Sequence, residues 1–175
     1  SIRADFSRIQ CTADLLPADV VGAMVFNQRE SRFEFHPGPL FANVVLVDEI
    51  NRASPKTQSG LLEAMQEGDV TVDGQTHELA RPFLIVATQN PVEFAGTYPL
   101  PEAQLDRFMT RVELGYPAPR EEEAMLAAHA AGDLVDDLAP VAELDEVLDA
   151  QRAVAAIHVS DGVRRYVVEL ARASR

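Results

Sequence analysis

Residues 43–65 read NVVLVDEINRASPKTQSGLLEAM, and no other stretch limits the fold so tightly. Val44, Val45, Leu46 and Val47 form a continuous apolar run of the type found in parallel strands buried on both faces. The run ends in two adjacent acids, Asp48 and Glu49. A helix follows with both ends marked: Ser54 as N-cap, Pro55 in the first turn and Gly68 just beyond the last turn. Leu61, Leu62 and Met65 give it one apolar stripe. The segment therefore predicts a strand, a polar turn and a packed helix, with carboxylates planted where the strand stops.

The pattern recurs downstream. Residues 83–87, FLIVA, read as a second buried strand that ends in polar Thr88, Gln89 and Asn90 and is stopped by Pro91. FSRIQC (6–11) alternates well enough for a short strand, and TADLLPADVVGAM reads as a helical piece broken at Pro17. VFNQRESRFEF, with apolar flanks around a polar centre, predicts a small hairpin closed off by HPGP. VTVDGQTHEL (70–79) is a clearer hairpin, because Asp73-Gly74 suits a tight turn whose twist matches its strands. A short helix starting at Pro101 leads into a last strand near 111–114. Alternating strands and helices argue for a three-layer α/β core around a parallel sheet.

Composition shifts after Gly115. Residues 118–175 read as helix throughout, with Glu121, Glu122 and Glu123 in a first turn where the helix dipole favours acids. Ser160 is a further N-cap. A boundary near residue 118 divides an α/β core, 1–117, from a small all-helical domain, 118–175.

Charge and composition narrow the function classes. The net charge of the 175 residues is −13, and Lys56 is the only lysine. Phosphate-backbone binding needs clustered Lys and Arg, so nucleic acid is not an expected partner. Cys11 is the single cysteine, which rules out an internal disulfide and suits a reducing cytoplasm. His36, His77, His129 and His158 are far apart, so no zinc or iron site is expected. SIRADFSRIQ lacks a signal-peptide layout, and no run approaches the roughly 18 apolar residues of a membrane span.

Ligands of doubly wound sheets bind outside the carboxyl ends of the strands. Asp48, Glu49 and Asn90 are placed there. An Asp at such a position can hold a hydrated magnesium ion, which takes carboxylate and water oxygens and leaves room for phosphates. Glu49 could polarise a water for attack on a terminal phosphate, and Asn90 could orient that water. Arg107, after a short helix, could add positive charge to the transition state. Each has a plainer reading: Asn90-Pro91 is a frequent turn starter, Arg107 could pair with a surface carboxylate, and Cys11 reads as a small buried apolar residue. Their joint order and spacing is what favours the chemical reading.

From GPLFANVVLVDEINRASPKTQSGLLEAM through TVDGQTHELARPFLIVATQNP to YPLPEAQLDRFMTRVELGYP, the chain closely resembles the MoxR family of AAA+ ATPases. The resemblance implies an AAA+ P-loop-type core with a helical lid. It also implies a Walker B motif in VVLVDE, with Asp48 on magnesium and Glu49 activating water. By the same comparison Asn90 in ATQNP looks like sensor 1, and Arg107 in EAQLDRF like the arginine finger that acts on a neighbouring subunit's nucleotide. Segment 22–38 resembles the helix-2 insert shared with chelatases and minichromosome-maintenance helicases. The hairpin at 70–79 resembles the one preceding sensor 1, and Asn51 and Arg52 match the family near the subunit interface. ATP and Mg²⁺ are the implied substrate and cofactor. A homo-oligomeric ring, a hexamer, with protein clients that include von Willebrand factor A domain proteins, is the implied assembly.

One part of the pattern is missing. A P-loop ends in Gly-Lys-Ser/Thr, whereas Lys56 follows Pro55, on the wrong side of the acids. The family carries that loop, and its central first strand, ahead of the point matched by Ser1, and carries the sensor 2 arginine past ARASR. Residues 1–175 are therefore expected to be an incomplete core with a truncated lid and to turn over ATP negligibly alone. The alternative is a non-catalytic oligomerisation or interaction module. Intact Asp48, Glu49, Asn90 and Arg107 weigh against it. A DNA-translocating relative fits poorly with the acidic balance and the absence of lysine from the 70–79 hairpin.

Overall fold

The computed structural model describes residues 1–90, 96–131 and 138–174. In chain order the elements are β1 (Ile2–Arg3), β2 (Phe6–Gln10), α1 (Pro17–Val21), β3 (Gly22–Asn27), β4 (Arg32–Pro37) and β5 (Val44–Asp48). A 3₁₀ turn, Ile50–Arg52, leads into α2 (Pro55–Glu67), and β6 (Asp69–Val72), β7 (Gln75–Glu78) and β8 (Leu84–Ala87) follow. The remainder is α3 (Glu102–Leu105), α4 (Pro119–Ala131), β9 (Ala142–Glu143), α5 (Leu144–Ala155) and α6 (Asp161–Ala173). Pro91, expected to stop β8, lies outside the described residues.

The central sheet is parallel, in the order β2-β5-β8, with Phe6, Val44 and Leu84 in one row and Ile9, Val47 and Ala87 in another. Side chains alternate faces along a strand. Ile9, Val45, Val47 and Ile85 therefore share one face, and they are buried in one cluster with Leu61, Leu62 and Ala64 of α2 and Val20 of α1. On the opposite face Phe6, Leu84 and Val86 are exposed, while Val44 and Leu46 are half-buried. The apolar run of β5 thus serves one buried face and one partly open face, where its continuity predicted burial on both. A continuous apolar run does not by itself say how many layers cover it.

The ends of α2 follow their sequence signals. Thr57 N–H donates to Ser54 Oγ at 3.3 Å, Pro55 opens the first turn, and Gly68 adopts φ 73° with its N–H donating to the Ala64 carbonyl. The hairpin β6–β7 turns through Asp73 and Gly74, both at positive φ, as its two-residue loop requires.

Three expectations are corrected. Pro17 starts a helix where a break was expected, because a proline at the first helical position gives up an N–H that has no intrahelical partner anyway. Residues 22–24 then belong to β3, so the hairpin 22–37 is longer than its apolar flanks suggested. A Cβ at Gly22 would lie 2.3 Å from the His36 carbonyl oxygen, and φ there is +97°, so the switch from α1 to β3 depends on a glycine. Finally, residues 111–114 form no strand: Val112 and Leu114 are 76% and 95% exposed. The outer edge of β8 carries no neighbouring strand among the described residues. An extended segment without such a partner has neither ladder bonds nor a surface on which to bury its apolar side chains.

One pairing had no sequence signal. β1 pairs in parallel with β9, and Arg3 Nε donates to Glu143 at 2.9 Å, tying the first residues to the helical region.

Candidate nucleotide site at the strand ends

Strands β5 and β8 are in register up to Val47 and Ala87, so Asp48 and Thr88 leave the sheet side by side. Thr88 links them. Its hydroxyl donates to Asp48 Oδ1 at 2.8 Å and accepts the Glu49 N–H at 2.9 Å, and its carbonyl accepts the Ile50 N–H at 3.0 Å. These bonds hold Glu49 in the left-handed region, at φ 54° and ψ 49°. Such a backbone costs on the order of 1–3 kcal/mol for a residue other than glycine, and it persists where the surroundings over-determine it. The kink sends the Glu49 side chain away from the direction the strand would have given it.

Both acids are paired. Arg8 on β2 donates to Asp48 Oδ2 through Nε at 2.9 Å and through a second, shorter bond from its Nη2. Glu49 Oε2 accepts from Arg52 Nη1 at 2.9 Å and from Gln10 Nε2 at 3.1 Å. The Arg8 guanidinium, and after it the Thr88 hydroxyl, hold the Asp48 carboxyl below the usual carboxylate range, so it stays ionised well below neutral pH. The side chains of Asp48 and Glu49 are 19% and 26% exposed, open enough to meet a ligand.

Asn90 follows Thr88 by two residues, and its main chain is held by the turn that follows the acids. Asn51, buried in the 3₁₀ turn, donates from Nδ2 to the Asn90 carbonyl at 3.2 Å and accepts the Asn90 N–H at 3.4 Å. Below it Gln58, 1% exposed, donates from Nε2 to the carbonyls of Ile50, Ala53 and Tyr98 at 3.1, 3.2 and 2.9 Å. Asp48 and Glu49 are thus brought together through Thr88, and the Asn90 main chain is tied to the turn that follows them. Arg107 is set apart: it is exposed one turn past α3, its N–H donates to the Gln104 carbonyl, and it makes no ion pair among the described residues.

Sequence reasoning overlooked Arg8, Gln10 and Thr88 as partners of the acids. Strand parity held the signal for two of them, since Arg8 and Gln10 pair in register with Leu46 and Asp48 and so share their face.

The donors are hard oxygens: the Asp48 carboxylate, with the Glu49 carboxylate and the Thr88 hydroxyl next to it. Asp48 Oδ1 accepts only from Thr88 and keeps a lone-pair site for an ion, whereas Oδ2 is taken up by its two bonds from Arg8. No group of three or more His, Cys, Asp or Glu that could hold an ion occurs among the described residues, so this is not a closed cage. A single carboxylate with room for water fits magnesium, which keeps several waters and binds through one or two carboxylates plus substrate phosphates.

Cys11 lies just behind the site, fully buried, with its N–H donating to the Asp48 carbonyl at 2.9 Å. Burial, then the charges of Asp48 and Glu49, push its thiol up to about 11. The folded protein is therefore expected to resist a thiol reagent such as dithionitrobenzoate at pH 8 and to react once urea unfolds it, because the thiolate is the nucleophile. Between the ordinary value of 9.0 and about 11 the unfolded chain gives up this proton while the folded chain keeps it. Stability must then fall as pH rises through that window. Equal labelling rates with and without urea at pH 8 would contradict the burial.

A parallel sheet with helices, and with acids and a polar loop at its strand ends, defines the class as an α/β fold of the kind that takes ligands at those ends. The comparisons agree. Residues 1–110 match the ATPase family associated with various cellular activities (AAA). The Bacillus subtilis (strain 168) uncharacterized protein YeaC is 51% identical over 175 residues, covering all of this chain and 55% of that protein. Chaperone MoxR1 of Mycobacterium tuberculosis is 42% identical over 170 residues, 97% of this chain and 45% of that protein. A 2.00 Å crystal structure assigned as a candidate ATPase from Cytophaga hutchinsonii superposes with a TM-score of 0.87 at 42% identity, covering 99% of this chain and 53% of that one. The chain belongs to the MoxR family of AAA+ ATPases. It spans about half the length of the curated relatives it matches. No helix among the described residues is long and apolar enough to cross a membrane.

Proposed function

We propose that residues 1–175 are the Walker B-to-lid part of a longer MoxR-type ATPase that couples Mg-ATP hydrolysis to the remodelling or chaperone-like assembly of partner proteins. In this reading 1–117 belong to the AAA+ core and 118–175 to the helical lid. The complete protein works in the cytoplasm as a homo-oligomeric ring, a hexamer, on protein clients that include von Willebrand factor A domain proteins. The observation that carries the reading is the pair Asp48 and Glu49, cross-linked by Thr88 at the carboxyl ends of two adjacent parallel strands, with the Asn90 main chain tied by Asn51 to the turn that follows them.

Asp48 is the residue that would hold magnesium, directly or through water. When bound, the ion neutralises phosphate charge. Glu49, whose carboxylate is turned out of the strand, polarises the attacking water and accepts its proton. Asn90 holds that water in line by hydrogen bonding. Arg107, exposed and without an ion pair among the described residues, supplies positive charge to the nucleotide of an adjacent subunit. The phosphate cradle is not among the 175 residues, which hold no Gly-Lys-Ser/Thr.

The test compares the complete gene product with residues 1–175 alone, each with ATP and with or without Mg²⁺. Magnesium-dependent turnover is expected from the complete protein and none from residues 1–175. Robust turnover by residues 1–175, or none by an assembled complete protein, overturns the reading.

A further inference from the structure

The regular pairing between β5 and β8 stops at Val47 and Ala87; beyond it, the Thr88 N–H still reaches the Val47 carbonyl at 2.9 Å. Asn90 lies two residues further, past the end of the ladder, where a loop backbone has no sheet to fix it. What meets it there is a side chain from the other strand's loop. Asn51, 8% exposed, is 39 residues away in sequence and directs both polar ends of its carboxamide at one residue: Oδ1 takes the Asn90 N–H and Nδ2 gives to the Asn90 carbonyl. A carboxamide presents a donor and an acceptor side by side, as a backbone strand does. Asn51 therefore prolongs the sheet by one mimicked rung.

The base of this rung is itself fixed. The Asn51 carbonyl accepts the Tyr98 N–H at 2.6 Å, and Gln58 grips the carbonyls on both sides of Asn51, at Ile50 and Ala53, together with that of Tyr98. Glu49 is the cap residue immediately before this 3₁₀ turn, so one short unit carries the acid and holds the Asn90 main chain.

We propose that Asn51 is a positioning residue, its buried carboxamide clamping the main chain of Asn90 so that the Asn90 side chain is held at a fixed distance from Asp48 and Glu49. The inference rests on the reading of Asn90 as a water-orienting residue. Misplacing a reacting group by about 1 Å costs on the order of 10²-fold in rate, which sets the scale of the expected defect. A residue that acts only through Asn90 has nothing left to lose once the Asn90 side chain is gone.

The experiment is a double-mutant cycle in the complete gene product, N51A and N90A singly and together, read by ATPase kinetics and by hydrogen exchange of the peptide spanning residues 84–90. N51A is expected to lower kcat about 10- to 100-fold with the KM for ATP nearly unchanged. The double variant should be no slower than N90A, which is the non-additivity of two groups acting as one unit. Exchange in the 84–90 peptide should accelerate in N51A while α2 keeps its protection. Additive losses, or unchanged exchange at 84–90, overturn the clamp. If N90A alone turns over ATP normally, the reading of Asn90 falls, and the exchange measurement still decides whether Asn51 holds it. Should N51A fail to assemble, N51D removes the Nδ2 donor at nearly constant volume and carries the same readouts.

Discussion

Replacing Arg107 with alanine in the complete gene product is expected to lower kcat by about 10³–10⁵, the range in which arginine fingers operate. The geometry argues for action on a neighbouring subunit. Arg8 and Arg52, the arginines beside the acids, are spent on Asp48 and Glu49. Arg107 has no such partner among the described residues; it projects from a turn anchored by half-buried Phe108, which packs on the core, and by the N–H of Phe108 bonded to the Leu105 carbonyl. An exposed guanidinium on a fixed turn is cheap to maintain, because water solvates it until a partner arrives. Mixing distinguishes the two geometries. In a ring built from R107A and E49Q subunits at equal ratio, about a quarter of interfaces join an intact Glu49 to an intact neighbouring Arg107, as heterologous contacts in a closed ring allow. Activity recovered on mixing two inactive proteins therefore signals a finger acting across the interface. A mixture as inactive as its parts places Arg107 outside the neighbouring site.

The features that sequence reading reached are those whose physics is local. Ser54, Pro55 and Gly68 satisfy or remove helix-end groups within one turn of themselves, so their spacing alone delimited α2. Asp73-Gly74 fixed a hairpin because the positive φ values of a two-residue turn are a property of those two residues. Asp48 and Glu49 stood out because an apolar strand cannot continue through them. What escaped detection depends on register or on distant partners. Arg8 meets Asp48 only once β2 is aligned with β5, and a slip of one residue would turn Arg8 to the other face. Asn51 and Asn90 are each ordinary loop residues in sequence; their relation exists only in three dimensions. The strand expected near 111–114 failed for the converse reason. Its local pattern was adequate, but a strand is a relation between two segments, and none of the described residues supplies the second.

Glu49→Gln is the substitution that best separates chemistry from architecture. Gln has the same length and retains an oxygen to accept from Arg52 Nη1 and Gln10 Nε2, so the contacts that hold the side chain survive. The bonds that hold its backbone, from the Glu49 N–H to Thr88 Oγ1 and from the Ile50 N–H to the Thr88 carbonyl, do not involve the carboxylate at all. The fold and Asp48, the proposed magnesium ligand, should therefore be untouched. What disappears is the capacity to take a proton from water, a contribution of about 10²–10⁴ in rate for a positioned general base. The expected result is a protein that binds Mg-ATP as the parent does, assembles as the parent does, and turns over at least about 10²-fold more slowly. Asp48→Ala should behave differently, weakening magnesium-dependent nucleotide binding and leaving Arg8 without its partner. If E49Q instead keeps most of its turnover, the left-handed kink serves the packing of the strand end, and the base must be sought elsewhere. If it loses nucleotide binding together with turnover, Glu49 belongs with Asp48 on the metal, and the division of labour between the two acids is wrong.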